Sequence, residues 1–155
     1  MPIVLQFNIE GTESFSAVLD RFQINFQSAE PAFQAMANHQ RSIWEKQFDA
    51  EGSYTGARWS ALSPPYKRWK AVHYPGRKIL ERSGLLRESL TQRPFGIDEI
   101  KDDLMVIGTG VPYGRWHQDG TGTMPARQMI QKPSAEDRVQ FAKYLQDWVV
   151  RGTVD

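Results

Sequence analysis

Apolar side chains recur at three- and four-residue steps in the first third of the chain, and this spacing constrains the fold most. The first stretch contains Phe15, Val18, Leu19, Phe22 and Phe26. Such steps place side chains on one face of an α-helix. A second helix is predicted from about Glu30-Pro31 to residue 49, since proline is tolerated in a first helical turn. We expect the two helices to pack as a hairpin that forms a large part of the core.

A third long helix is predicted near the end of the chain. Ser134 and Asp137 have the spacing of a capping box, with Asp in place of Glu, and Gly152 is expected to end the helix. The apolar stripe consists of Val139, Ala142, Leu145 and Val149, with Phe141, Tyr144 and Trp148 beside it. This helix is expected to complete the helical part of the fold.

Strand patterns are short. Residues 3–9 alternate between apolar and mixed positions, and residues 91–97 and 103–109 predict two strands around a turn at 98–102. A brief strand is predicted at 127–131, and Ser83 is expected to cap a short helix that ends near Leu90. A helical turn is expected over residues 112–119. The sum is one α+β domain over residues 1–155, with a small, mostly antiparallel sheet packed against the helical hairpin and the C-terminal helix.

Residues 50–78, called here the basic-aromatic segment, follow neither pattern. Glycine and proline punctuate it, and a short helix is predicted only around residues 65–72. We therefore predict an extended loop, and loops of this length in compact domains usually have a function. Between Arg58 and Arg93 the chain carries a net charge of +7, although the whole chain carries only +1. A basic band of this kind suggests a polyanion or an acidic protein surface as a neighbour.

Three interpretations of the basic-aromatic segment remain open. Basic and aromatic side chains together suit nucleic acid, through phosphate contacts and base stacking. They also suit a protein interface, in which Trp, Tyr and Arg are enriched, and we favour this second interpretation. The ordinary alternative is a solvated surface. The candidate contact residues are Arg58, Tyr66, Lys67, Arg68, Trp69, Lys70, Tyr74, Arg77 and Lys78.

The sequence predicts neither catalysis nor a metal or cofactor. It has no cysteine, and His39, His73 and His117 share no metal-ligand spacing. The acidic residues near 98–103 lack the glycine and the ligand spacing of a calcium loop. His117 is expected to be a hydrogen-bonded structural residue, because a neighbour such as Asp119 is badly placed to orient it. Without a signal peptide or a long apolar run, we expect a soluble protein of the cell interior.

Several short motifs without catalytic content occupy the middle and late chain. In the first, Gly56 is expected to allow a tight turn, and Trp59 and Leu62 to fill one apolar pocket. In the last, Pro125 sets an extended strand entry, from which Arg127 can reach a carboxylate or backbone carbonyls. These interpretations assign the motifs to structure rather than to chemistry.

In their order and spacing, the motifs resemble the phage virion morphogenesis family, also called the tail completion family of tailed bacteriophages. The resemblance spans about residues 30–150. The matching residues are Gly56, Trp59, Leu62, Ser63, Ile79, Leu80, Gly84, Leu86, Ser89, Tyr113, His117, Gln118, Gly120, Pro125, Ala126 and Arg127. Gly114, Trp116 and Gln128-Met129 depart from the family pattern.

The resemblance implies a structural protein of the virion, assembled in the host bacterial cytoplasm. It implies a ring, hexameric or dodecameric, at the head–tail junction or the head-proximal end of the tail. Neighbours would be neck, connector or tail tube proteins, with non-specific contact to DNA in the channel as a further option and no membrane. The alternatives are a transient morphogenesis factor absent from the mature virion and a small nucleic-acid-binding module.

Overall fold

The computed structural model describes residues 12–154, and the predicted strand at 3–9 lies outside them. Within this range the chain forms six helices and one two-stranded antiparallel sheet, which confirms the α+β class. The elements are α1 Thr12–Gln27, α2 Glu30–Asp49, α3 Pro64–His73, α4 Leu85–Thr91, β1 Ile97–Ile100, β2 Met105–Gly108, α5 Gly114–Asp119 and α6 Ala135–Arg151. None of these helices is long and apolar enough to cross a bilayer.

Helix α2 is the central element, and its predicted bounds are confirmed. It begins with Pro31 in its first turn, and packs against α4, α6 and both strands. The core lies at its C-terminal half, where Trp44 and Phe48 are buried together with Trp59, Leu86, Leu90 and Met129. The Phe48 and Trp59 rings meet edge-on with centroids 5.3 Å apart. Because Phe48 is fully buried, its truncation would leave a cavity in this core.

Helix α1 packs along α6, so the predicted hairpin of α1 on α2 is wrong. Polar groups fix this pairing. The Asn25 side-chain amide donates to the Trp148 carbonyl (3.0 Å), and the Trp148 indole N–H donates to the Ser28 carbonyl (2.6 Å). Periodicity predicts that α1 has an apolar face, but it does not predict which element packs on that face. Much of the apolar face of α1 is exposed to solvent, since Phe26 is 78% and Leu19 48% accessible.

Helix α6 has the predicted capping box and the predicted C-terminal glycine. The Asp137 N–H donates to the Ser134 hydroxyl (3.1 Å), and the Ser134 N–H donates to the Asp137 carboxylate (3.0 Å). The predicted inward stripe is wrong at its first residues, since Val139 is 71% exposed. The inward side instead carries Phe141, whose ring meets that of His39 edge-on at 5.5 Å.

The sheet is smaller than predicted and starts later. In the pairing of β1 with β2, Ile97 lies opposite Gly108 and Ile100 opposite Met105, so the strand predicted at 91–97 is misplaced. Asp98 was predicted to lie in a turn. It is in β1 because its carboxylate forms a nearly buried ion pair with Arg41, at 2.5 Å, and this tertiary contact overrides its turn preference.

Residues 127–131 do not form the predicted strand. The Gln118 side chain takes the role of a partner strand there. Its amide oxygen accepts from the N–H groups of Met129 (2.9 Å) and Ile130 (3.0 Å), and its amide nitrogen donates to the Ile130 carbonyl (2.6 Å). These bonds satisfy backbone groups that a sheet would otherwise pair, so Gln118 holds this part of the chain in place.

The two short helices begin or end at glycines with positive φ. Helix α4 is capped by Gly84 (φ +95°) and not by Ser83, whose hydroxyl accepts only a 3.4 Å bond from the Leu85 N–H. Helix α5 confirms the helical turn predicted over residues 112–119 and ends at Gly120 (φ +77°). A side chain at either position would strain this left-handed backbone.

Candidate interaction surface

The basic-aromatic segment is not an extended loop, because α3 occupies ten of its residues. The short helix predicted at 65–72 is therefore confirmed with wider bounds. Pro64 and Pro65 fill its first turn, where the missing N–H groups need no intrahelical partner. Ser63 precedes the helix, without a side-chain capping bond.

One face of α3 carries a stack of aromatic rings. Tyr66, Trp69 and His73 are three and four residues apart, so their side chains lie on the same side of the helix. The Tyr66 and Trp69 centroids are 5.5 Å apart and those of Trp69 and His73 4.5 Å, with both pairs nearly parallel. Trp69 is 40% exposed. The stack therefore presents an ordered aromatic surface to solvent.

Lys70 does not belong to this surface, contrary to prediction. It is only 4% exposed, and its ammonium group donates to the Lys78 carbonyl. Burial lowers its pKa, and the nearby Glu81 and Glu51 carboxylates oppose that shift. The side chain lies inward because it bonds a carbonyl of the chain that follows α3. Its role is to hold that chain in place.

Part of the positive charge of the segment is neutralised by two acids, Asp49 at the end of α2 and Glu51 within the segment itself. Arg58 forms an ion pair with Glu51 (2.8 Å), and the Lys78 ammonium donates to the Asp49 carbonyl (2.9 Å). The Ile79 N–H and the Arg58 guanidinium lower the pKa of the Glu51 carboxyl. Lys78 thus ties the segment to α2, whereas the Arg58–Glu51 pair lies within the segment.

Sequence reasoning missed the acids that bind this segment. Asp49 binds Lys78 of the segment and also Arg87 on α4 (2.9 Å), and Arg87 pairs in turn with Glu81 (2.7 Å). The signal was the position of Asp49 and Glu51 directly before a basic stretch. That position is compatible with local neutralisation of the charge, but only the fold identifies each pair.

Three predicted cations remain directed to solvent: Lys67, Arg68 and Arg77 are exposed. Within the described residues, no carboxylate lies within 4.0 Å of them. Tyr74 is partly covered, with its ring tilted against Trp69 at 5.7 Å and beneath the Arg82 guanidinium at 5.9 Å. The exposed cations and the aromatic stack together form what we call the basic end of the molecule.

The first motif is structural, but its glycine was assigned wrongly. Gly52 makes the positive-φ turn (φ +97°), and a Cβ there would lie 2.5 Å from a Trp59 ring carbon. Gly56 has no such backbone angle. Trp59 is buried as predicted and donates its indole N–H to the Gln128 carbonyl (2.9 Å). Leu62 does not share its pocket and lines a separate cleft.

This cleft, of about 620 Å³, lies between α3, the start of α4 and α5. Its lining is mixed. The charged members are Lys70, Glu81, Arg82 and Arg127, and the apolar and aromatic members include Leu62, Tyr66, Leu80, Leu86, Tyr113, Met124 and Pro125. Six of these lining residues belong to the motifs of the sequence analysis: Leu62, Leu80, Leu86, Tyr113, Pro125 and Arg127. The motifs therefore form the wall of one cleft in addition to part of the core.

Arg127 is the most unusual group in the cleft. It is 5% exposed, and it donates to the carbonyls of Ser60 (2.8 Å) and Ala61 (3.1 Å). This confirms the predicted bonds to carbonyls. No carboxylate among residues 12–154 pairs with it, and burial lowers its pKa. A buried cation paired only with carbonyl dipoles favours an anion beside it.

His117 lies beside Arg127, but the structure corrects its predicted role. Its Nδ1 is buried without a hydrogen-bond partner in the described part of the chain. Burial, and then the charge of Arg127, lower the pKa of the imidazole. Its ring packs edge-on against Tyr113, with centroids 6.0 Å apart. His117 is thus a packed, neutral ring in the cleft wall.

An acidic end lies at the opposite tip of α2. Ala29, which precedes α2, donates its N–H to the Asp102 carbonyl (2.7 Å) and so fixes the turn between β1 and β2 there. Asp102 and Asp103 are exposed on this turn, and Glu30 is exposed beside it. The acidic end and the basic end lie near opposite ends of α2, whose 20 residues make it about 30 Å long.

Comparison with known proteins gives a consistent picture. A family model described as the phage virion morphogenesis family matches residues 11–149. The Mu-like prophage FluMu G protein 1 of Haemophilus influenzae is 33% identical over 87 residues, which are 56% of this chain and 56% of that protein. The match therefore spans about half the length of that relative. No solved structure matches the chain.

Proposed function

We propose that this chain, which belongs to the phage virion morphogenesis family, is a non-enzymatic structural protein of a tailed phage virion. Its role in phage morphogenesis follows from the family and from the similar prophage protein. Within that role, we propose a closed ring at the head–tail junction or the head-proximal end of the tail. Neck, connector or tail tube proteins would be its neighbours.

The separation of charge along α2 is the observation that best supports a ring. The acidic end carries Glu30, Asp102 and Asp103, whereas the basic end carries exposed Lys67 and Arg68. Two different and complementary surfaces favour head-to-tail contacts between identical subunits. Such heterologous contacts produce closed rings when the rotation between neighbours closes, and opposite charge fixes their register.

Imaging and virion composition test this proposal. We expect electron microscopy of the concentrated protein, or of purified virions, to reveal rings of defined symmetry. Mass spectrometry of purified virions should find the chain in a fixed ratio to other virion proteins. Its absence from mature virions would favour the alternative, a transient morphogenesis factor.

Contact with DNA in the channel is a second candidate role for the basic end. The stacked Tyr66 and Trp69 rings beside Lys67 and Arg68 have the composition of a sequence-independent nucleic-acid surface. Binding of this kind should weaken steeply as salt increases. A DNA titration of the wild type and of Lys67→Glu/Arg68→Glu, with Arg138→Glu/Lys143→Glu on α6 as a matched control, separates this role from protein contact.

A further inference from the structure

We infer that the cleft beside Arg127 binds the exposed turn at Asp102–Leu104 of a second copy of this chain. This inference rests on the proposed ring, and it assigns the contact between neighbouring subunits to defined residues. The cleft is the receptor and the turn is the ligand. Because the two lie on different parts of the subunit, each copy can make both contacts at once.

The chemistry of the cleft matches a short acidic segment with an apolar residue. Arg127 is buried without a carboxylate in the described chain, and Arg82 adds a second positive charge at an exposed position. Glu81 does not compensate Arg127, because its carboxylate pairs with Arg87 at 2.7 Å. A carboxylate that enters the cleft would gain a charge-assisted hydrogen bond to a partly desolvated guanidinium.

The turn supplies the complementary groups. Asp102 and Asp103 are exposed, and the next residue, Leu104, is 42% exposed although it is apolar. Leu104 suits the Leu62, Leu80 and Leu86 side chains of the cleft wall. The acid–acid–leucine order therefore pairs charge with charge and apolar surface with apolar surface.

The turn is also rigid, which limits the entropy lost on binding. The Lys101 N–H donates to the Leu104 carbonyl (2.8 Å), and the Asp102 carbonyl accepts from Ala29 (2.7 Å). The first bond closes the turn and the second anchors it to the start of α2. Its side chains are thus held outward before any partner arrives.

The position of the two surfaces favours a contact between copies over a contact within one chain. The turn lies at the N-terminal tip of α2, whereas the cleft lies beyond its C-terminal half, next to α3 and α4. Since α2 is about 30 Å long and the two surfaces lie near its opposite ends, the turn does not reach its own cleft in this fold. Only another copy can bring an identical turn there.

The test uses two full-length variants, each with one surface disabled. The cleft variant carries Arg82→Gln and Thr123→Trp, both at exposed positions of the cleft lining. Arg127 is left unchanged in this variant, so that its buried hydrogen bonds are kept and the variant folds. The turn variant carries Asp102→Asn and Asp103→Asn. Arg138→Gln/Lys143→Gln, at exposed positions on α6, is the matched control. Assembly is measured by sedimentation velocity and native mass spectrometry.

We expect neither variant to assemble alone, while the control assembles like the wild type. Mixed together, the two variants should form a 1:1 heterodimer and nothing larger, because one intact turn meets one intact cleft. A third variant adds Arg127→Gln to the turn variant and takes its place in the mixture. Its affinity for the cleft variant should be lower than that of the turn variant by about tenfold or more.

Three results would overturn the inference. Assembly of either variant alone at the wild-type concentration would exclude the contact. So would a mixture that stays monomeric, or a wild type that does not self-associate at any concentration. The first two results leave the proposed ring standing with another contact, whereas a wild type that never self-associates would exclude the ring as well. The proposed role as a virion protein is tested separately, by the presence of the chain in purified virions.

Discussion

At the scale of single residues, the motif positions act mainly through backbone geometry and buried hydrogen bonds. Trp59 is held by the Gln128 carbonyl, and Arg127 by two carbonyls at residues 60 and 61. Both side chains therefore join the start of the basic-aromatic segment to the chain after α5. Two glycines permit this arrangement, Gly52 before Trp59 and Gly120 before Arg127.

Gly52→Ala should destabilise the fold through a clash as well as through its backbone angle. The added Cβ would meet the buried Trp59 ring at 2.5 Å, at a φ of +97°. Left-handed strain alone costs about 1–3 kcal/mol. Gly76→Ala is the matched control, since Gly76 has φ +75° with no atom within 4 Å. Urea denaturation should show a larger loss for Gly52→Ala, and equal losses would exclude the clash.

His117 should make stability depend on pH near neutrality. Its pKa is lowered in the folded protein by burial and by Arg127, so the unfolded chain binds the proton more readily. The contribution of His117 to the free energy of unfolding is therefore complete above the unfolded pKa of about 6.5. It declines as the pH falls below that value.

His117→Phe keeps a ring in place and removes both the titration and the unpaired Nδ1. Urea denaturation at pH 7.5 and at pH 5.5 should show a smaller difference in unfolding free energy for this variant than for the wild type. His73→Phe, at an exposed ring on α3, is the control and should retain the wild-type difference. An unchanged pH dependence in His117→Phe would contradict the assignment.

At the scale of elements, α2 is the centre of the described structure, because it packs against α4, α6 and both strands. Its C-terminal end binds the basic-aromatic segment through Asp49, which contacts Lys78. Its N-terminal end fixes the β1–β2 turn through a backbone hydrogen bond. The helix thus sets the distance between the two charged ends. Helix α6, in turn, joins α1 to α2.

Ser134→Ala should destabilise the protein by about 1 kcal/mol through the loss of the α6 cap. The effect extends beyond α6, since Asp137 also binds the His39 side chain on α2 at 3.0 Å. Ser42→Ala, at an exposed position inside α2, is the control and should be neutral or slightly stabilising because alanine favours helices. Chemical denaturation measures both, and equal stability of the two variants would contradict the capping role.

At the scale of the whole molecule, a nearly neutral chain separates its charge into two regions. The net charge of +1 conceals the acidic end and the basic end on either side of the core. Self-association through such surfaces depends on screening, because the Debye length falls from about 30 Å at 0.01 M salt to about 3 Å at 1 M.

Association should therefore weaken as sodium chloride rises from about 0.05 M to about 0.5 M. Sedimentation velocity measures the shift toward monomer. Leu19→Ser/Phe26→Ser, which removes exposed apolar side chains of α1, provides the comparison. If this variant disrupts assembly and salt does not, the contact is apolar and the charge argument is wrong.

Much of the fold was predictable wherever one signal was strong and local. The bounds of α2, the capping box of α6 and the helical turn before Gly120 follow from periodicity and capping residues alone. The strand predicted at 127–131 does not form, because the Gln118 side chain accepts hydrogen bonds from the backbone N–H groups there. The strand predicted at 91–97 was misplaced because the Arg41–Asp98 ion pair holds an acidic residue in β1. The contact residues and the partners proposed for them stay predictions.

The sequence by itself determined the α+β class, the bounds of α2 and α6 and the family resemblance, since periodicity, capping residues and ordered motifs are local properties of a chain. Only the tertiary structure decided that α1 packs on α6, that Lys70 is buried, and that no carboxylate of the described residues pairs with Arg127 in its cleft. Each of these depends on residues far apart in sequence. Whether a side chain is buried and whether its charge is paired depend on which elements pack against each other. No local sequence pattern specifies that packing.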